Sequence, residues 1–332
     1  MPRVLTITLN PALDLNVETG TVRLGGVNRS RTTRLDAAGK GINLARVLSR
    51  LGHTVTVSGL LGDINAAPFE RLFHSDMLDD QFVRVPGQNR INVKIAEDGG
   101  RVTDLNGPGF DASPESLKQL ETRLGDLTGH YDAVAIAGSL PAGFEADALA
   151  RLVCHFKASG TPVWLDTSGP ALDAGLRALP DGIKPNIDEL AEWAGSALDS
   201  LDAVAAAARA LQETGIAHVV VSMGEKGVLW LSPSGDWLAS PPPVTVLSTV
   251  CAGDTLLAGM IHGLLERNGD PVSCRRNCQQ ILSTATALSA ECVRHVGVGD
   301  PMADDFTQLI EQTRVTLFTP WPGHNNNGEM PL

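Results

Sequence analysis

The chain has 332 residues, 43% hydrophobic and 19% charged, which is room for one large α/β domain or two ordinary ones around a sizeable core. A formal net charge of −12 repels nucleic acid and acidic membrane surfaces and excludes both as general partners. Five cysteines at irregular spacing make no disulfide framework and fit a reducing cytoplasm, and no apolar run approaches the ~18 residues that cross a bilayer.

From the N-terminus, residues 4–9 (VLTITL) read as a strand, with no charged-then-apolar order of the signal-peptide kind before them. Residues 21–36 (TVRLGGVNRSRTTRLD) alternate strand-like residues around a Gly-rich turn, which predicts an antiparallel ribbon. The stretch GINLARVLSRLG then places Ile42, Ala45, Leu48 and Leu51 at three-residue steps along one helix face. A second strand is expected at 55–60, and a second ribbon at 82–105, where no room is left for a crossover helix. Within it Arg90, Asn92 and Lys94 alternate with apolar residues and share one face. The two ribbons make either surface hairpins or a lid over a ligand, drawn from about 10–36 and 82–110.

Further strands are expected at 133–137, 163–166 and 218–222, with the alanine-rich helix LDAVAAAARALQETG between the last two, stopped by Gly215. After Asp254, Leu256, Met260 and Leu264 repeat every four residues, as do Leu257, Ile261 and Leu265, which predicts another helix. This alternation points to an α/β fold with a mostly parallel sheet between two helical layers. Residues 1–318 read as one domain and 319–332, rich in Pro, Gly and Asn, as a disordered tail. Cys274 and Cys278, with Cys292 and His295 further on, match no common zinc spacing.

Four short stretches carry candidate chemistry. Gly39-Lys40-Gly41 opens a helix, where glycines admit close approach, free amides favour an anion and Lys40 adds a cation. The alternative there is a purely structural helix start, and the Walker spacing is missing. In KPNIDE, Asn186 and Glu189 stand three apart on one side of a helix start, an ordinary terminus or a pair of oxygen donors for water on Mg²⁺. Ser222 to Gly227, SMGEKG, sets small residues at the end of a strand, where nucleotides bind in open α/β sheets. In TVCAGD, Asp254 stands at a helix N-terminus behind Cys251, Ala252 and Gly253, either as a cap or as an acid beside unpaired amides. No Gly-x-Gly-x-x-Gly follows any strand, which argues against a nicotinamide enzyme.

TITLNPALDL, AAGKGIN, GSLPAG, KPN, SMGEKG and TVCAGD occur in the order found in the ribokinase-like phosphofructokinase B family, and the likeness runs from about residue 3 to 315. The resemblance implies a three-layer ribokinase-like sandwich with a small antiparallel β-lid, and an ATP- and Mg²⁺-dependent sugar kinase. RINVKIAEDGGRVTDLNGPG and STVCAGD favour members that phosphorylate fructose 1-phosphate at its 6-hydroxyl. Tagatose 6-phosphate or fructose 6-phosphate kinases of the family, and a catalytically impaired sugar-phosphate sensor, stay open as alternatives.

By resemblance Asp254 is the catalytic base, with the amides of Cys251, Ala252 and Gly253 as the anion hole. Asp14, Gly39, Lys40, Asn43, Arg90, Asn92 and Ser139 would hold the sugar phosphate. Lys184, Asn186, Ser222, Gly224, Glu225, Gly227, Thr249 and Gly253 would line the ATP site, with Asn186 and Glu189 ordering Mg²⁺ through water. The lid also implies a homodimer, in the cytoplasm that the cysteines suggest. Most relatives carry glycine where this chain has Cys251. A left-handed backbone there would cost a side chain about 1–2 kcal/mol, while an ordinary backbone would cost little. A thiol at a helix N-terminus is further expected to have a lowered pKa and to be oxidation-sensitive.

Overall fold

A computed structural model describes residues 1–266 and 274–319. The expected tail, apart from Thr319, lies outside the described residues. Strand β1 (Arg3–Thr8) leads into β2 (Ala12–Thr19) and β3 (Ser30–Ala38), then helix α1 (Lys40–Arg50) and β4 (Thr54–Gly62). Helix α2 (Ala67–Ser75), β5 (Asp79–Val85), β6 (Arg90–Glu97), β7 (Val102–Asn106) and α3 (Pro114–Leu127) follow. Next come β8 (Ala133–Ala137), α4 (Ala146–Ala158), β9 (Val163–Asp166), α5 (Gly169–Leu176), β10 (Gly182–Ile183), α6 (Ile187–Ala194) and α7 (Leu201–Glu213). The remainder is β11 (His218–Ser222), β12 (Val228–Ser232), β13 (Gly235–Ser240), α8 (Ala252–Leu265), α9 (Cys274–Cys292), α10 (Phe306–Gln312) and β14 (Arg314–Leu317).

Among the described residues ten strands form one sheet in the order β14-β13-β12-β11-β10-β9-β8-β1-β4-β5, parallel from β11 to β5 and antiparallel through the β12–β14 edge. The two-residue period of a strand divides the core between its faces. Val4 and Val57 face one cluster with Ile42 and Leu48 of α1, Leu257 of α8 and Leu282 of α9. Leu5, Ile7, Val134 and Ile136 face the other, with Leu120 of α3, Phe156 of α4, Leu190 of α6 and Leu211 of α7. This is the three-layer α/β sandwich that the alternation of strand and helix signals implies.

The lid is a separate four-stranded sheet, β3-β2-β6-β7. Each hairpin is antiparallel, but β2 and β6 pair in parallel, Ala12 beside Arg90 through Thr19 beside Glu97. The chain reaches β6 only after crossing the main sheet through α1, β4, α2 and β5, and a crossover of that length is what a parallel pair requires. The second ribbon begins later than its sequence pattern indicates. Phe82 to Val85 belong to β5 and pair with β4, so the lid hairpin starts at Arg90.

Candidate active site

A cavity of about 830 Å³ lies at the carboxyl ends of the parallel strands, with lid residues Asp14, Arg90, Asn92 and Lys94 on one side and the start of α8 on the other. Its floor is set by α1, which lies very close to β1. A Cβ on Gly41 would stand 2.4 Å from Thr8 Oγ1 and 3.0 Å from the Ile7 carbonyl, so only glycine fits. Gly39, at φ 142°, turns the chain into that helix. Lys40 and Asn43 are thereby presented to the cavity.

Asp254 is 7% exposed in the first turn of α8. Asn43 Nδ2 donates to its Oδ2 at 2.8 Å. Burial, then the charge of Asp166, push its carboxyl up to about 6 against the pull of Lys40, the Asn43 hydrogen bond and Lys184. The helix opens with Thr255 N–H donating to the Cys251 carbonyl at 2.8 Å. The amides of Gly253 and Asp254 precede the first intrahelical bond, and that of Ala252 reaches the Thr249 carbonyl only at 3.4 Å. Free or loosely held N–H groups and the positive end of the helix thus flank the carboxylate.

Beneath them runs a chain of alternating charge. Lys184 Nζ lies 3.3 Å from Asp166 Oδ2, Lys40 Nζ lies 2.9 Å from Asp166 Oδ1, and Lys40 also stands 3.7 Å from Glu189 Oε1. Asp166 is only 1% exposed. Burial raises its carboxyl, but Lys184 and Lys40 outweigh that and hold it below the ordinary carboxylate range. Lys40 is likewise held above its usual value by Asp166, Glu189 and Asp254 in spite of its own desolvation. A Cβ on Gly253 would come within 3.2 Å of Lys184 Nζ, so the glycine lets the ammonium lie against the turn. In the lid, Asn92 Nδ2 donates to Asp14 Oδ1 at 3.0 Å, Lys94 stands 3.4 Å from Asp14 Oδ2, and Arg90 Nε donates to the Asn10 carbonyl at 3.2 Å.

KPN and SMGEKG are joined by a bridge between Asn186 and Ser222, with Ser222 N–H donating to the Pro185 carbonyl at 3.1 Å. Ser222, Gly224, Glu225, Gly227 and Thr249 all line the same cavity. Asn186 and Glu189 form a capping box at the start of α6: Asn186 Oδ1 accepts from Glu189 N–H and Glu189 Oε2 from Asn186 N–H, each at 2.8 Å. Asp166 and Asn186 line the cavity with hard oxygen donors of the kind that a largely hydrated Mg²⁺ takes through its water.

Of the residues singled out in the sequence, Ser139 and Glu189 are not part of the cavity lining. The Ser139 hydroxyl instead accepts from Asn10 Nδ2 at 3.3 Å, and Glu189 serves the α6 cap. Asp166 was missed as a site residue, although its place at the end of a predicted strand was a usable signal. Lys94 was visible only through its alternation with Arg90 and Asn92. The apolar lining of Pro241, Pro242, Pro243 and Val244, with Ala290 of α9 and Val293 just past its end, carries no pattern beyond a proline run.

Cys251 departs from expectation in one respect. It caps α8 at φ 68° and ψ −3°, the left-handed conformation that glycine adopts freely. The thiol is not activated there. Burial, followed by the nearby Asp254 charge, pushes it well above the ordinary thiol range, and this outweighs the helix terminus. Cys251→Gly is expected to stabilise the protein by up to about 1 kcal/mol, the relief of about 1–2 kcal/mol of strain being offset by glycine's freedom in the unfolded chain. Turnover should be unchanged. A chemical denaturation curve moved to lower denaturant would reverse the conclusion.

Comparison with known proteins places these features in context. The sequence pattern of the pfkB family carbohydrate kinases matches residues 9–305. The 1-phosphofructokinase of Escherichia coli (strain K12) is 44% identical over 298 residues, 90% of this chain and 94% of that protein. The 1-phosphofructokinase of Rhodobacter capsulatus is 44% identical over 320 residues, covering 96% and 99%. The structure of phosphofructokinase-2 from Escherichia coli in complex with fructose-6-phosphate superimposes with a TM-score of 0.83 at 25% identity, over 94% of this chain and 99% of that one.

Proposed function

The chain belongs to the pfkB family of carbohydrate kinases, and from that premise we propose that it is a 1-phosphofructokinase, transferring the γ-phosphoryl group of ATP to the 6-hydroxyl of fructose 1-phosphate to give fructose 1,6-bisphosphate. The observation that carries the reading is Asp254: a buried carboxylate with its pKa raised to about 6 stands beside free amides in a cavity that also holds Lys40, Arg90, Lys94 and Lys184. Such a group is mostly ionised at neutral pH and still basic enough to take a hydroxyl proton as the oxygen attacks phosphorus. The amides of the Cys251–Gly253 turn would receive the charge on the equatorial phosphoryl oxygens. Lys40 and Lys184, fixed by Asp166, supply positive potential inside an acidic protein. Arg90, Asn92 and Lys94, with Asp14, would hold the sugar phosphate from the lid.

ATP would enter along Asn186, Ser222, Gly224, Glu225, Gly227 and Thr249, with its base against the proline wall. Asn186, which lines the cavity, would hold water on Mg²⁺, which when bound neutralises phosphate charge. A coupled ADP-release assay with fructose 1-phosphate, fructose 6-phosphate and tagatose 6-phosphate tests the reading. The first is expected to give the highest kcat/KM; a higher value for either 6-phosphate would reassign the substrate within the family.

The working unit is one domain over 1–318 in the cytoplasm, where Cys154, Cys251 and Cys292 stay reduced. Among the described residues no helix is long and apolar enough to cross a membrane. A second copy would pair through the lid. Leu35, Leu15, Val93 and Leu105 fall in register across its four strands, opposite in pleat to the cavity-lining row of Asp14 and Asn92, with Leu35 and Leu105 exposed. Light scattering at micromolar concentration should give twice the chain mass; the mass of a single chain would remove the dimer.

A further inference from the structure

The phosphoryl-transfer site uses only the first turn of α8, and a separate cluster of ligating side chains stands at the helix's other end. His262 lies eight residues beyond Asp254, about 12 Å along the axis. Glu266 follows His262 by four residues, so the two project from one side of the helix end. His53 reaches them from the turn between α1 and β4 and is only 6% exposed. Its Nε2 is 2.9 Å from His262 Nδ1, with the rings at 72° to each other.

Among the described residues this is the one group of three His, Cys, Asp or Glu side chains with ligand atoms all within 4.8 Å of one another. His53 Nδ1 is buried without a hydrogen-bond partner. Across the 2.9 Å gap one of the two facing nitrogens, His53 Nε2 or His262 Nδ1, carries the shared proton and the other accepts it. Burial, and for His53 the neighbouring ring, lower both imidazoles below their usual range, so they stand neutral at physiological pH and need lose no proton to bind a cation.

We propose that His53 Nε2, His262 Nδ1 and a carboxylate oxygen of Glu266 form a binding site for a divalent transition-metal ion of the Zn²⁺ class, with the remaining positions open to water. Two imidazoles and one carboxylate are a donor set for such ions, whereas Mg²⁺ takes oxygen alone. Ligands about 2.1 Å from an ion lie about 3.0 Å apart at a right angle and about 3.4 Å apart in a tetrahedron, so the two nitrogens are near the required spacing, and the rings would turn from their mutual hydrogen bond to aim both lone pairs at one ion. Exposed Glu266 supplies the charge and the path for entry. The site would tie the α1–β4 turn to the end of the helix whose first turn carries Asp254.

The test uses the full-length protein stripped with a chelator and kept in excess Mg²⁺. Zn²⁺ binding is measured by calorimetry, and Co²⁺ substitution by visible absorption. Wild type is expected to bind one Zn²⁺ per chain and to melt at higher temperature with it. Glu266→Gln, at an exposed position, should bind at least about tenfold more weakly, and His262→Ala should lose both the binding and the cobalt spectrum. No Zn²⁺ binding by wild type would leave only a hydrogen-bonded imidazole pair and overturn the site. Binding unchanged in Glu266→Gln, or retained in His262→Ala, would overturn it equally.

Discussion

Asp254→Asn is expected to lower turnover roughly 100- to 10,000-fold while leaving ATP and sugar-phosphate affinity nearly intact. The amide preserves the size of the side chain and its contact with Asn43, so the cavity and the helix terminus keep their shape. It removes the only function the carboxylate has in the proposed step, taking the hydroxyl proton. The same group fixes the pH profile. A base with a pKa of about 6 in the free enzyme is protonated below that pH, so kcat/KM should fall tenfold per unit on the acid side of about 6 and level off above it. In the variant this acid limb should vanish along with most of the rate. Turnover within about threefold of wild type, or an unchanged acid limb, would take the proton-abstracting role away from Asp254.

The elements most legible in the sequence are those whose pattern is fixed by burial. β8, β9 and β11 are found at the bounds their apolar runs indicate, because strands buried on both faces tolerate little else. Of the first lid hairpin only β3 falls within the expected 21–36 ribbon, its partner being β2 at Ala12–Thr19, and the pairing of the two hairpins was not visible at all. Register between β2 and β6 is set by where a long crossover returns, which neither strand records locally. The division of 82–105 shows the same limit. Phe82 to Val85 and Arg90 to Lys94 both read as strand-like, and only the neighbour they pair with separates main sheet from lid.

For the site, local signals were strong where backbone geometry demands special residues. Gly39 and Gly41 are small because Thr8 and Ile7 crowd them, and Gly253 lets Lys184 lie close; such glycines punctuate a sequence. Asp166 was missed because its meaning is entirely tertiary. It is one acid at a strand end, indistinguishable in sequence from a turn residue until Lys40 and Lys184 arrive from 126 residues before it and 18 after it. The thiol of Cys251 shows the complementary error. A helix N-terminus lowers a pKa when water is present, but desolvation dominates when the group is buried.

Asp166→Asn is expected to cost stability first, by about 3–5 kcal/mol, because it leaves the buried Lys184 ammonium without its counter-charge. Lys40 retains Glu189 at 3.7 Å, whereas Lys184 is 4% exposed and depends on Asp166 at 3.3 Å. The two site carboxylates act on stability in opposite directions. Asp166, held below its ordinary value, contributes stability that is present at neutral pH and is lost as pH falls through its folded-state pKa. Asp254, raised to about 6, contributes stability in acid that is lost as pH rises through that value, so Asn in its place should leave neutral-pH stability equal or higher. Removing Asp166 also deletes a negative neighbour of Asp254, which should move the acid limb of kcat/KM to lower pH. Denaturant unfolding at pH 7.5 and a pH–rate profile measure the two effects on one variant. Stability within about 1 kcal/mol of wild type would mean that Lys184 and Lys40 are solvated well enough to need no partner, and the charge chain beneath the cavity would then lose its structural role.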